Sequence, residues 1–308
     1  MISRRNIRVK VMQTLYAVES SDPVIPADKA RKLLEGQFEQ SRQLFTALIL
    51  LITETARYAE TDARNRASKH LPSQEDLSVN TRIAGNSLLW QILEDSSFRH
   101  AAEESRISQI ADPELVRSIY LRLVASEPYQ AYIARESREK KDEKDILAYI
   151  FTDLMLPDES VTAHLEEHFN HWEDDADMMV QLVMNYLGKP GSTNFQDLVS
   201  PEKRQFALTL LQTSIEKKEY CMDLIRPKLK NWDAERIAQL DMILMRLGVS
   251  ELLWFETIPA KVTINEYIDL AKEYSTPQSG QFVNGILDGI HKDLVQDGQL
   301  RKVDFKKP

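Results

Sequence analysis

The clearest hydrophobic pattern in the chain runs from residue 237 to residue 290, where apolar positions recur at helical spacing in three consecutive segments. Side chains three and four positions apart share one face of an α helix, so this spacing predicts three amphipathic helices. The apolar positions are, in order, Ile237, Leu240, Leu244 and Leu247; Ile264, Ile268, Ala271 and Tyr274; and Phe282, Ile286 and Ile290. Because the linkers between them are short, the three helices are expected to pack on one another.

Local start signals support the same three helices. Asp233 precedes the first, where its carboxylate can cap free backbone N–H groups. Pro259 and Pro277 stand near the starts of the second and third, where proline costs no helical hydrogen bond. In the third helix, Gly285 and Gly289 predict a shallow side against which another helix can pack closely.

A fourth helix is predicted over residues 3–20, with an apolar face of Ile7, Val11, Leu15 and Val18. A turn of about 100° per residue places Arg5, Met12 and Tyr16 on the opposite, outward side, with Arg8 flanking them. Guanidinium groups pair with phosphates and an aromatic ring can stack on an unpaired base, so this face suits RNA. The alternative is an ordinary solvated basic face.

The rest of the chain is also helical in pattern. A long helix is predicted over residues 28–70, with Phe38, Leu44, Phe45, Leu48 and Ile52 inward. Five further helical segments are predicted over residues 88–93, 115–124, 146–156, 161–172 and 178–187. A linker follows at 188–194, and Ser200 and Pro201 then open another helix. The tail after Leu294 lacks a core pattern and is expected to be frayed.

Glu251 interrupts the apolar stripe of the first C-terminal helix one turn after Leu247. A carboxylate buried there would be costly without a partner. Alternatively, Glu251 lies at the edge of the stripe.

Several strings in the chain resemble the NusB family of transcription antitermination factors. They come in the family's order and spacing: Trp232-x3-Arg236-Ile237, Leu240-Asp241, Ile243-Leu244-x-Arg246-Leu247, Glu251-Leu252-Leu253, Ile258-Pro259-x-Lys261-Val262-x-Ile264-Asn265-Glu266, Leu270-Ala271-Lys272 and Phe282-Val283-Asn284-Gly285-x-Leu287-Asp288. At the other end, Arg4, Arg5, Arg8, Gln13, Leu15 and Tyr16 are similar to the family's first helix. The resemblance covers residues 3–20 and about 200–290.

The resemblance implies an all-α fold, a NusB-like pair of helical bundles with an inserted helical region. Residues 1–71 would form the first two helices of the N-terminal bundle and 199–231 its third helix. Residues 72–198 would be the insertion, and 232–308 the C-terminal bundle and tail.

The function implied by the resemblance is antitermination through boxA-type single-stranded RNA, bound together with ribosomal protein NusE. The RNA polymerase elongation complex would be an indirect partner. Arg4, Arg5, Arg8, Tyr16 and Phe282 would contact the RNA. Glu251 would lie in the NusE interface.

Two departures from the family bear on this assignment. Asn6 stands where the family is usually basic, and Gln278 where it is often acidic. The alternative is a protein-interaction module with the NusB fold that does not bind RNA, for which Phe282 is simply core.

Composition narrows the function classes. A net charge of −9 and a pI of about 5.3 argue against a general nucleic-acid coat, but allow a local basic site. The single cysteine, Cys221, is typical of a reducing cytoplasm, and no signal peptide or membrane span is expected. Nucleotide-binding and acyl-transfer motifs are absent, so we expect no enzyme and no cofactor.

One motif points to other chemistry. The string from His164 to His168 matches the H-x-x-E-H zinc-peptidase pattern, with His171 nearby. Both imidazoles would lie one turn apart on one helix face. A polar helix face is the favoured interpretation, and we expect no metal.

Overall fold

The computed structural model describes residues 2–22, 25–229 and 237–303. These residues contain no β strand, which confirms the predicted all-α class. The helices are α1 (Arg4–Glu19), α2 (Ala27–Ala67), α3 (Gln74–Leu77), α4 (Ser87–Glu94), α5 (Ser96–Ala102), α6 (Ser105–Ser108), α7 (Pro113–Ala125), α8 (Glu127–Ala134), α9 (Lys140–Tyr149), α10 (Glu159–His168), α11 (Trp172–Gly188), α12 (Pro201–Glu216), α13 (Lys218–Ile225), α14 (Gln239–Trp254), α15 (Ala260–Tyr274) and α16 (Ser279–Gln296). Short 3-10 helices cover Arg82–Gly85 and Arg226–Leu229, and a π-helical segment, Ile150–Met155, continues α9.

Local signals predicted the starts of α12 and α15 correctly. The Ser200 hydroxyl accepts a hydrogen bond from the Lys203 N–H at the start of α12, with Pro201 in the first turn. Pro259 caps α15. Asp233, the predicted cap of the preceding helix, lies outside the described residues.

One predicted helix is wrong. The segment predicted over 161–172 is two helices, because the backbone leaves helical conformation at Phe169, with φ −133° and ψ 96°. Phe169 and Trp172 are both buried, so the break places two aromatic side chains in the core.

Within the described ranges, no helix combines the length and apolar character needed to cross a bilayer.

The chain divides into two compact units. Unit 1 comprises residues 1–2 and 38–198, and unit 2 comprises residues 3–37 and 199–308. Unit 2 is therefore built from the two ends of the sequence, and the division falls within α2. The predicted insertion at 72–198 lies within unit 1. That these residues are an insertion relative to the family stays a prediction.

The core of unit 1 includes an aromatic cluster. Phe45 stacks on Phe195 with ring centroids 4.9 Å apart, and the Tyr186 ring meets Phe195 edge-on at 5.0 Å. Phe98 lies against Phe195 at 5.2 Å. Phe195 directly follows the predicted linker at 188–194. Its ring therefore holds the chain in the core of unit 1 at the residue where that linker ends.

Unit 2 is organised around α14, which contacts α1, α12, α13, α15 and α16. The predicted association of the three C-terminal helices is confirmed. The glycine that permits close packing is Gly248, where a Cβ would lie 2.8 Å from Leu287 Cδ1. The prediction for Gly285 is wrong, because that residue faces open space.

The chain after α16 is held in place up to residue 303, contrary to the predicted frayed tail. Lys302 Nζ donates hydrogen bonds to the carbonyl oxygens of Glu251 (2.9 Å) and Phe255 (2.8 Å). The Val303 N–H donates to the Glu256 carbonyl at 2.9 Å. Lys302 therefore adds a second hydrogen bond to each of two carbonyl oxygens at the carboxyl end of α14, which already accept from the N–H groups of Phe255 and Ile258.

Candidate functional site

Three of the predicted RNA-binding side chains reach the surface of unit 2 from α1. Tyr16 is 46% exposed, and the side chains of Arg4 and Arg5 are 43% and 35% exposed. Arg5 and Tyr16 are eleven residues apart, so they share a face of α1 and lie about 16 Å apart along its axis. This part of the predicted outward face is confirmed.

Both exposed arginines already have carboxylate partners. Arg4 Nη2 lies 2.5 Å from Glu202 Oε1 at the start of α12, and Arg5 Nη2 lies 2.6 Å from Glu273 Oε2 on α15. The Arg4 guanidinium also lies 5.7 Å from the centroid of the Phe206 ring. Exposed ion pairs of this kind contribute little stability, so the guanidinium groups can exchange partners at small cost.

Arg8 is buried, and its predicted outward position is wrong. Its side chain is 3% exposed and forms a two-pronged ion pair with Glu251, Nε to Oε2 and Nη2 to Oε1, both at 2.8 Å. Met12, also predicted outward, is buried as well. The reason is that α1 packs on both α12 and α14, so its buried surface is wider than one apolar stripe.

The Arg8–Glu251 pair sits in a complete hydrogen-bond shell. Thr263 Oγ1 donates to Glu251 Oε1 at 2.8 Å, and the Tyr267 hydroxyl donates to Oε2 at 3.1 Å. Arg8 Nη1 also reaches Glu266 Oε2 at 3.3 Å. Each carboxylate oxygen thus accepts two hydrogen bonds, which is what a buried charge requires.

Electrostatics keep Arg8 charged and Tyr267 protonated. Burial opposes the charge on Arg8, but the hydrogen bonds and negative charge of Glu251 outweigh it and raise the pKa of Arg8. Burial and the same negative charge hold the pKa of Tyr267 well above its ordinary value, so the phenol stays a hydrogen-bond donor.

Glu251, the residue predicted for the protein interface, is completely buried. Its side chain therefore cannot touch a partner docked on this surface. The sequence pattern did indicate this burial, because an acidic residue on an apolar stripe needs a buried cationic partner. In the structure that partner is Arg8. Spacing within one helix could not identify it, because the partners are 243 positions apart.

Phe282, the last predicted RNA contact, lies in the first turn of α16 and is 9% exposed. Its ring belongs mainly to the core of unit 2. The structure thus brings Arg4, Arg5 and Tyr16 to the surface, and places Arg8, Glu251 and Phe282 inside.

Comparison with known proteins assigns the chain to a family. A model of the NusB family matches residues 165–292. This range includes the motifs at about 200–290 and begins earlier, within α10, in the stretch predicted as insertion. Residues 3–20 lie outside it, so the resemblance of α1 to the family's first helix stays a prediction. No solved structure matches the chain.

Several curated relatives carry the name transcription antitermination protein NusB. The Salinibacter ruber protein is 43% identical over 102 residues, which are 33% of this chain and 64% of that protein. The Nitratiruptor protein is 36% identical over 37% of this chain and 85% of its own length. The Dictyoglomus thermophilum protein is 38% identical over 39% of this chain and 83% of its own length. The family-model match and the coverage of these relatives lead to one conclusion: the chain belongs to the NusB family.

Proposed function

We propose that this protein is a transcription antitermination factor that binds boxA-type single-stranded RNA together with ribosomal protein NusE. It would act on the RNA polymerase elongation complex indirectly, in the cytoplasm, without catalysis. The name of its relatives supports the antitermination role. The observation that carries the RNA assignment is the exposed face of α1, where Arg5 and Tyr16 are presented by a helix anchored through Arg8.

The chemistry of this face fits single-stranded RNA. Arg4 and Arg5 would exchange their exposed carboxylate partners for backbone phosphates, which accept the two-pronged guanidinium hydrogen bond equally well. Tyr16, about three helical turns away, would stack on an unpaired base. The distance from Arg5 to Tyr16 is then long enough for a few nucleotides to lie between them.

Arg8, Glu251 and Phe282 would act from inside the fold. The buried ion pair would hold α1 against α14 and α15, and so fix the direction in which Arg5 points. Phe282 would set the position of α16. In this proposal NusE docks on unit 2 without touching the Glu251 side chain.

The experiment is an RNA titration of the complex with NusE at several salt concentrations. Arg4→Gln and Arg5→Gln should each weaken binding and reduce the slope of log affinity against log salt by about 0.7, the value for one lost phosphate contact on a single strand. Tyr16→Ala should weaken binding by about 1–3 kcal/mol with the slope unchanged.

Arg226→Gln is the matched control, because Arg226 is an exposed, ion-paired arginine of unit 2 that does not belong to α1. It should leave both affinity and slope unchanged. If the α1 variants behaved like this control, the exposed face of α1 would not be the RNA site.

A second function is favoured by one observation: Arg4, Arg5 and Arg8 each pair with a carboxylate of the chain itself, in a protein of net charge −9. Under this alternative the protein is an interaction module that binds NusE but no RNA. Co-purification with NusE and no detectable RNA binding by the pair would select it.

A further inference from the structure

A cluster of metal-binding side chains lies on α10, in unit 1 and outside the proposed RNA site. One potential ligand atom from each of His164, Glu167 and His168 lies within 4.8 Å of the others. The two imidazole rings have centroids 4.7 Å apart. His171, also noted in the sequence motif, instead faces Asp174, with Nδ1 3.8 Å from Oδ2.

Both imidazole rings are oriented by backbone carbonyl groups. His164 Nε2 lies 2.9 Å from the Ile110 carbonyl oxygen, and His168 Nδ1 lies 2.8 Å from the His164 carbonyl oxygen. A carbonyl oxygen only accepts, so these nitrogens carry the hydrogens. In the neutral rings the lone pairs are then on His164 Nδ1 and His168 Nε2. A hydrogen bond from the second ring nitrogen to a carbonyl is the usual support of a metal-bound histidine.

We propose that His164, Glu167 and His168 bind a divalent transition-metal ion, with Zn²⁺ the best match to two imidazole nitrogens and one carboxylate. Ligands of tetrahedral zinc lie about 3.3 Å apart, given metal–nitrogen bonds of about 2.0 Å. Rotation of the exposed Glu167 side chain can bring its carboxylate closer to the two rings, and small rotations of the half-buried rings would supply the rest of the contraction. Three protein ligands leave a fourth position for water.

The consequence would be structural. Through the bond from His164 to the Ile110 carbonyl, the ion would reinforce the connection between α10 and the segment that precedes α7. An ion that binds only the folded protein raises its stability by mass action, so unit 1 should melt at a higher temperature when zinc is present. No part of this inference depends on RNA binding.

The test uses the full-length protein, stripped of metal with a chelator and titrated calorimetrically with Zn²⁺ alone. We expect one saturable equivalent. A parallel titration with Co²⁺ should give visible absorption bands of tetrahedral coordination. Glu167→Gln and His168→Gln should each lower the affinity at least about tenfold, since even changes in supporting residues cost that much.

Glu166→Gln is the matched control, because it removes the same charge from the adjacent exposed position. His100→Gln removes an exposed histidine elsewhere in unit 1. Both should bind Zn²⁺ as the natural protein does. Glu167→Gln keeps both imidazole hydrogen bonds, so it should fold normally and lose only the zinc-dependent rise in melting temperature. No saturable binding, or equal binding by Glu167→Gln and Glu166→Gln, would overturn the proposal.

Discussion

Arg8 and Glu251 form a fully buried, two-pronged ion pair that joins the first helix of the chain to α14. Thr263 and Tyr267 complete the hydrogen bonds of the carboxylate. The pair therefore fixes α1 rather than presenting a charge to solvent. This relationship changes the role of Arg8, which the helical pattern placed outward, and of Glu251, which the family resemblance placed in the NusE interface.

Breaking this pair on one side should be far more costly than removing it altogether. Arg8→Met leaves a buried carboxylate without its cation, and we expect a loss of about 3–5 kcal/mol in the free energy of unfolding. Glu251→Met should cost a similar amount. The double variant Arg8→Met, Glu251→Met should lose less than either single variant, because no charge is left unpaired.

Urea unfolding curves of the four proteins measure the coupling between the two residues. Arg4→Met, which breaks an exposed pair, is the control and should cost about 1 kcal/mol or less. If a single variant does not fold, recovery of folding in the double variant still tests the prediction. Additive losses would mean that the two residues act independently.

Replacing two glycines of unit 2 by alanine should change the stability of the protein in opposite directions. Gly248→Ala places a methyl group 2.8–2.9 Å from the buried Leu287 side chain, so we expect a destabilisation of about 1–3 kcal/mol from overpacking. Gly285→Ala adds a methyl group in open space inside a helix and should stabilise the protein by about 0.5–1 kcal/mol. Thermal unfolding of both variants checks the signs, and the same sign for both would contradict the packing described for α14 and α16.

Burial lowers the pKa of Lys302 from 10.5 to about 8. The unfolded chain therefore binds more protons at this site between about pH 8 and pH 10.5, so its contribution to stability rises with pH through that window and is constant below it. As pH rises from 8 to 10, the free energy of unfolding of the natural protein should therefore increase relative to that of Lys302→Met. Lys261→Met, at an exposed position, provides the control for the loss of one lysine.

The carboxylate partners of Arg4 and Arg5 should compete with RNA if the proposed function is correct. Glu202→Gln and Glu273→Gln free one guanidinium each, and the small strength of an exposed pair predicts about 1.4- to 5-fold tighter RNA binding. Glu219→Gln, which removes one of the two carboxylate partners of Arg226 outside α1, corrects for the change in net charge. Equal gains in all three variants would show that only overall charge matters.

Local features of the structure could be predicted from the sequence, and pairings over long distances could not. Ser200 and Pro259 mark helix starts because capping depends on neighbouring residues alone. The surroundings of Arg8 depend on α12 and α14, which pack on α1 from distant parts of the chain. The same limit explains the choice of Gly285 over Gly248: spacing identifies a small residue, but not the face that meets another helix. The exposed positions of Arg5 and Tyr16 followed from helical periodicity.

Because unit 2 combines residues 3–37 with residues 199–308, it cannot fold early during translation. While the ribosome makes residues 38–198, α1 has already emerged, but α14 and α15, which neutralise Arg8, do not yet exist. Unit 1 can begin to fold as a contiguous segment, whereas unit 2 must wait until α14 and α15 have been translated. A nascent chain stalled before residue 239 should therefore expose α1 to proteases and chaperones, even when the segment behind it is already folded.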